Sequence, residues 1–234
     1  MLFRSKHNHY IYDKGSTIEI TNDNSVINGN GAIIDMNESD IQVFKVTAFG
    51  VTIKNLTINN ANYNGNGGAI CFTKSGTVEN CNFINNTASN GGAIYFGYDY
   101  VFSEYGIRGT VENCNFINNK VASVEGDGGA ICMHSGTITN CNFVNNFAWN
   151  GGAVNMGSGT VVNCSFANNS VGSAVLVRGD SEVINCNFTN NSASWQGGAI
   201  DFMSCGNVTG CNFINNSQNM VALSILIIFL LIVM

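Results

Sequence analysis

Apolar and polar residues alternate along most of this chain, in short runs. Ile70 and Phe72 stand two apart, as do Cys81 and Phe83, and Val78 stands alone between polar neighbours. Alternation at period two over a few residues predicts half-buried strands. The runs also recur. Gly-Gly-Ala-Ile/Val begins at Gly67, Gly91, Gly128, Gly151 and Gly197, with a degenerate copy at Gly172. Asn-Cys-x-Phe-x-Asn-Asn begins at Asn80, Asn113, Asn140, Asn163 and Asn185, and returns with Gly at its head at Gly210. Its cysteines, Cys81, Cys114, Cys141, Cys164, Cys186 and Cys211, are separated by 33, 27, 23, 22 and 25 residues. A ground period of 22–25 is too short for a helix pair but holds three short strands and their turns.

The pattern therefore predicts an all-β chain wound as a parallel β-helix, a solenoid of about eight three-strand coils. Two diverged coils, over 17–35 and 43–58, precede six clear ones whose first strands lie near Ala69, Ala93, Ala130, Ala153, Ala174 and Ala199. Diverged end copies suit caps. At roughly 4.8 Å per coil the rod is roughly 40 Å long. Residues 1–15 read as an N-terminal segment, 16–218 as the solenoid and 219–234 as a separate apolar tail.

Each recurring word has a place in such a coil. The Asn before each cysteine sits where the chain must bend without breaking the in-out alternation, and Asn tolerates the left-handed region that a bend requires. Stacking brings Asn80, Asn113, Asn140, Asn163 and Asn185 into one ladder, whose amides are placed to bond along the axis. Turn propensity alone is the plainer reading. The Gly-Gly pair marks another corner, and the Asn-Asn pair before it reads as a solvated turn. The six cysteines fall at an inward position. Stacked side chains there run parallel rather than towards each other, so they read as small buried hydrophobes and not as disulfides.

Two insertions break the rhythm. The first, Gly97 to Arg108, carries Tyr98, Tyr100, Phe102 and Tyr105, a possible recognition loop; the second runs from Lys120 to Asp127. Both are expected at the same edge of the first-strand face, on coils four and five, where loops on a rigid scaffold commonly bind. Tolerated surface excursions are the plainer reading. The tail from Met220 to Met234 has no charge. As a helix it spans about 22 Å, short of a roughly 30 Å hydrocarbon core. A short membrane anchor, a truncated or frame-shifted end, and an apolar lid on the last coil all stay open. Residues 1–10, with Arg4, Lys6, His7 and His9, are too polar and too short for a signal peptide. The abrupt strand at Ser16 points to a fragment of a longer chain.

Composition narrows the function. Net charge is -6 and only 10% of residues are charged, so no basic stripe exists for nucleic acid. Solubility falls to amides, with 39 Asn, and the absence of proline suits interior strands that must all donate. No Cys-x-x-Cys occurs and the only histidines are His7, His9 and His134, so neither a metal site nor a cofactor is expected. Asn-x-Ser/Thr triplets at turns, Asn85, Asn168, Asn190 and Asn215, are the reachable glycosylation acceptors.

With those words laid out, Gly91–Ile94 followed by Phe116–Asn119 resembles the repeat of the polymorphic outer membrane proteins. The Asn-rich form, Asn-Cys-Asn-Phe-Ile-Asn-Asn, is similar to adhesin-like surface proteins of methanogenic archaea. The resemblance covers nearly residues 16–217. It implies a right-handed β-helix at a cell surface, membrane-anchored or secreted, with a non-enzymatic role in attachment. Its partner would be a host or neighbouring-cell surface protein or glycan, with the tail as a contact to the membrane. A polysaccharide-active enzyme of the pectate lyase kind is the alternative, and a truncated gene remnant a third. Such an enzyme needs clustered carboxylates. The outward positions of the first strands read Cys71, Tyr95, Cys132, Asn155, Leu176 and Asp201, with one acid among them. Glu79 and Glu112 stack without a base, Arg108 and Arg178 lie three coils apart, and His134 reads as surface. No catalytic residue is assigned.

Overall fold

The computed structural model describes residues 9–11, 15–97, 107–195 and 197–218. They form 27 strands and no helix. Pairing is parallel throughout, each strand lying over its counterpart one coil on: Ile70–Phe72 beside Ile94–Phe96, then Ile131–Met133, Val154–Met156, Val175–Val177 and Ile200–Phe202. With Ile18–Ile20 and Phe44–Val46 these make the first face, eight strands deep. The second face holds Gly76–Glu79, Arg108–Glu112 and their successors, the third Asn82–Ile84, Asn115–Ile117 and theirs. The molecule is a parallel β-solenoid of about eight turns.

Two elements were not legible as strands. His9–Ile11 adds a rung beside Ile33–Asp35. A short fourth ladder of six strands, from Thr87–Ala88 to Ser217–Gln218, follows the Asn-Asn words.

Like residues stack in the interior. The rings of Phe83, Phe116, Phe143, Phe166, Phe188 and Phe213 form one column, with centroids 4.7–5.2 Å apart and planes within 10° of parallel. Five of the six are fully buried, and Phe213, on the last coil, is 48% exposed. Val78, Val111, Ile138, Val161 and Val183 form an aliphatic column on the neighbouring face.

The bend residues adopt the left-handed backbone: Asn55, Asn80, Asn113, Asn140, Asn163 and Asn185 all lie at φ 53–55°. Amide-to-amide bonds in this column run from Asn55 to Asn28 (3.0 Å) and from Asn140 to Asn113 (3.3 Å). Backbone conformation is thus the shared property of the position. Asn140→Ala is expected to cost about 1–2 kcal/mol, the left-handed penalty of a Cβ residue without a local hydrogen bond. Asn140→Gly is expected to cost less. The shift in urea midpoint of the two variants measures the difference.

The Asn-Asn pair departs from the expected solvated turn in its second half. The first residue of each pair is the exposed corner, left-handed at Asn85, Asn118, Asn145, Asn168, Asn190 and Asn215. The second points inward. Asn86, Asn119, Asn146, Asn169 and Asn191 are all 0% exposed. A buried amide is tolerated only when its hydrogen bonds are met, and here they are met by the neighbouring coils. Asn119 donates from its backbone N–H and from Nδ2 to Oδ1 of Asn146, at 2.9 and 3.1 Å. Its Nδ2 also donates to the carbonyl of Phe83 at 3.0 Å. The same three bonds recur at Asn86, Asn146, Asn169 and Asn191. The chain turns a corner there, its N–H groups leave the strand ladders, and the next coil's amide receives one.

Candidate functional site

The six repeat cysteines perform the same service at the other bend. The backbone N–H of Cys81, Cys114, Cys141, Cys164 and Cys186 donates to the sulfur of the next coil's cysteine at 3.3–3.4 Å. Each sulfur also faces the carbonyl two residues back, for example Cys114 Sγ to Glu112 O at 3.1 Å. The first five are buried, Cys211 is partly so, and all nine cysteines are free. They are therefore more than space fillers, since valine or alanine would leave a buried N–H unmet. Hydrogen bonding to Cys141 pushes Cys164 up to about 12, and hydrogen bonding to Cys164 pushes Cys186 up to about 11. Burial raises Cys114. At Cys141 hydrogen bonds from Cys114 and Cys164 lower the value against burial, which raises it.

Cys114, Cys164 and Cys186 hold their protons more tightly in the fold, while an unfolded thiol ionises near 9.0. Stability present below that pH should fall as pH rises from 9 towards 11–12. A urea midpoint that drops between pH 8 and 10.5 would show it. Under native conditions a thiol reagent should label the exposed Cys205 first, and the five buried repeat cysteines only as fast as the chain unfolds.

The outward column of the first face pairs Lys45, Cys71, Tyr95, Cys132, Asn155, Leu176 and Asp201 in register. Its middle is not open surface: Cys132, Asn155 and Leu176 are buried. Arg178, at the end of Val175–Val177, is not isolated either. It bonds Asp127 two coils back at 3.1 Å, and Asn150 donates to the same carboxylate oxygen at 3.0 Å. Burial raises the carboxyl of Asp201 and pushes the Cys71 thiol up to about 11. Among the described residues no group of three or more His, Cys, Asp or Glu is placed to hold a metal. Glu79 stacks on Glu112, and Lys54 of the coil before pairs with Glu79 at 3.2 Å, so the stack has the basic neighbour it was expected to lack. His134 is half-buried at the bend between the first two faces.

The two insertions do not share an edge. The first is held at Gly97 and Ile107, where the chain leaves the first face; the second precedes Gly128, where the next coil reaches that face. Their anchoring residues lie at opposite edges, because one insertion follows the strand Ile94–Phe96 and the other precedes Ile131–Met133. Tyr98, Tyr100, Phe102 and Tyr105 lie outside the described residues, as does the tail from 219. Among the described residues no helix is long and apolar enough to cross a membrane.

An exposed aromatic pair went unread. Trp149 and Trp195 come from coils two apart, yet their ring centroids are 6.1 Å apart, 42° from parallel. Both stand two residues before a Gly-Gly word, a signal available in the sequence. The intervening coil makes the meeting possible. It carries the shortest repeat, 22 residues between Cys164 and Cys186, and cuts this corner to Val171 and Gly172.

Three stretches, 80–97, 113–133 and 185–202, match the Chlamydia polymorphic membrane protein repeat. Together they are well under half of the chain. Each begins at a bend asparagine, takes in the third face, the buried amide, the fourth ladder and the Gly-Gly corner, and closes just past or on the next first-face strand. The matched unit is thus one whole set of corner devices, repeated on a β-solenoid. No curated protein and no solved structure matches the chain.

Proposed function

We propose that this chain is a non-enzymatic surface protein whose β-helix displays loops and side chains for attachment to other cells or surfaces. The match of three of its repeats to those of polymorphic membrane proteins carries the reading. A cell-surface location follows from the same likeness, and the likeness of the Asn-rich word to adhesin-like archaeal proteins belongs to the proposal with it. The first-face column supports it from the other side: its acids lie far apart, Glu19 on the first coil and Asp201 on the last, and Asp127, outside the column, is tied to Arg178. An enzyme of the pectate lyase kind would be expected to group such carboxylates.

Attachment is measured by coating beads with the purified chain and counting cells held under flow. Capture above uncoated beads is expected. Replacing residues 98–106 by a short Gly-Ser linker between Gly97 and Ile107 is expected to reduce capture, through loss of Tyr98, Tyr100, Phe102 and Tyr105. Unchanged capture would remove those aromatics from the binding surface. Release of reducing or unsaturated ends from polyuronides with calcium would overturn the non-enzymatic reading.

A further inference from the structure

The bend between the first and second faces opens a trough of about 750 Å³ that crosses coils four to eight. Its floor is backbone. Gly109, Gly136 and Gly159 lie in register there, and Gly136 and Gly159 have φ of 151° and 139°, where a side chain is strained. A Cβ on either would meet the carbonyl oxygen of the coil before it. One wall is a row of threonines, Thr110, Thr137 and Thr160, at strand spacing. Among the described residues their hydroxyls bond no protein group. Ser158, on the other wall, is equally unengaged. Arg108 stands at one end, Asp180 and Glu182 towards the other.

The geometry points to a neutral polysaccharide chain, lying along the solenoid axis, as the ligand of this trough. Each free hydroxyl both donates and accepts, as each sugar hydroxyl does, and the row offers them repetitively at roughly 4.8 Å. An extended peptide fits less well. It needs free backbone N–H and C=O groups along one line, and those of the floor are spent in the coil-to-coil ladders. A polyanion would meet Asp180 and Glu182 with a single arginine in compensation. The inference names the ligand class for the attachment role proposed above, and it rests on that reading only for its biological setting.

Isothermal titration with neutral linear hexasaccharides of glucose, mannose and N-acetylglucosamine tests it, with heparin and an unstructured peptide as comparisons. Binding of at least one neutral hexasaccharide is expected. Thr137 is exposed, so Thr137→Tyr should fill the trough, keep the urea midpoint and weaken binding at least tenfold. Thr137→Val, which removes only the hydroxyl, should weaken it by about fivefold, one hydrogen bond's worth. Thr139→Tyr, on the same strand beyond the trough, should change it less than twofold. No neutral hexasaccharide bound, equal affinity in Thr137→Tyr, or preference for heparin or peptide would overturn the inference. Beads that capture cells while no hexasaccharide binds would sink this ligand and leave attachment standing; hexasaccharide binding without cell capture would do the reverse.

Discussion

Replacing Asn146 by leucine should destabilise the solenoid by roughly 4 kcal/mol, four buried hydrogen bonds at about 1 kcal/mol each. The side chain is 0% exposed and leucine is the larger residue, so an overpacking cost of about 1–3 kcal/mol adds to that loss. What goes is the acceptor for two donors of Asn119, and the donor that serves Phe116 O and Asn169 Oδ1. Asn146→Asp separates the two halves of that function. One carboxylate oxygen still accepts from Asn119, but the other faces two acceptors and is unfavourable unless protonated. Its carboxyl should therefore ionise above the usual value of about 3.9. The folded form then holds a proton that the unfolded form has lost, so this variant should lose stability as pH rises above about 4. Urea midpoints of the wild type and both variants at pH 4 and pH 7 check this. Equal destabilisation of the aspartate variant at both would sink the account.

Phe143→Ala should cost about 3–5 kcal/mol, the range for a buried aromatic truncated in a core that cannot collapse. The column gives reason to expect the upper part. Its rings stack at 4.8 Å below and 4.7 Å above, and the backbone on both sides is fixed by ladders. Phe213→Ala serves as the internal comparison. It has one stacked neighbour, Phe188 at 5.2 Å, and is 48% exposed, so its loss should be less than half as large. Differential scanning calorimetry of the two variants measures the ratio. Similar costs would mean that the last coil is covered in solution.

The coils were legible because their signal is written many times. One Asn-Cys-x-Phe word says little, but five in fixed order, and a sixth headed by Gly210, fix the period, the inward thiols and the bend. The left-handed asparagines followed from residue chemistry, since few other residues tolerate that backbone. The buried amide column did not follow. Asn85 and Asn86 are the same residue type, and nothing in their neighbours says that one faces water and the other the core. Only the fourth ladder, Thr87–Ala88 and its successors, shows why the second must turn in. Trp149 with Trp195 and Arg178 with Asp127 were hidden for another reason. They join residues two coils apart, and the first pair depends on where a corner happens to be two residues short. Reading the insertions failed on an ordering matter: which strand each one follows decides which edge it occupies.

The inner amides all point the same way, each Nδ2 handing a proton towards the C-terminal neighbour, from Asn86 through to Asn216. At this inner corner every joint between turns is accordingly built like every other. A genetic event that excises or duplicates a full period, 141 to 163 for instance, would splice matching halves and leave no valence open. Cross-section in this molecule is rigidly prescribed, whereas length is a free variable, adjustable by recombination one module at a time.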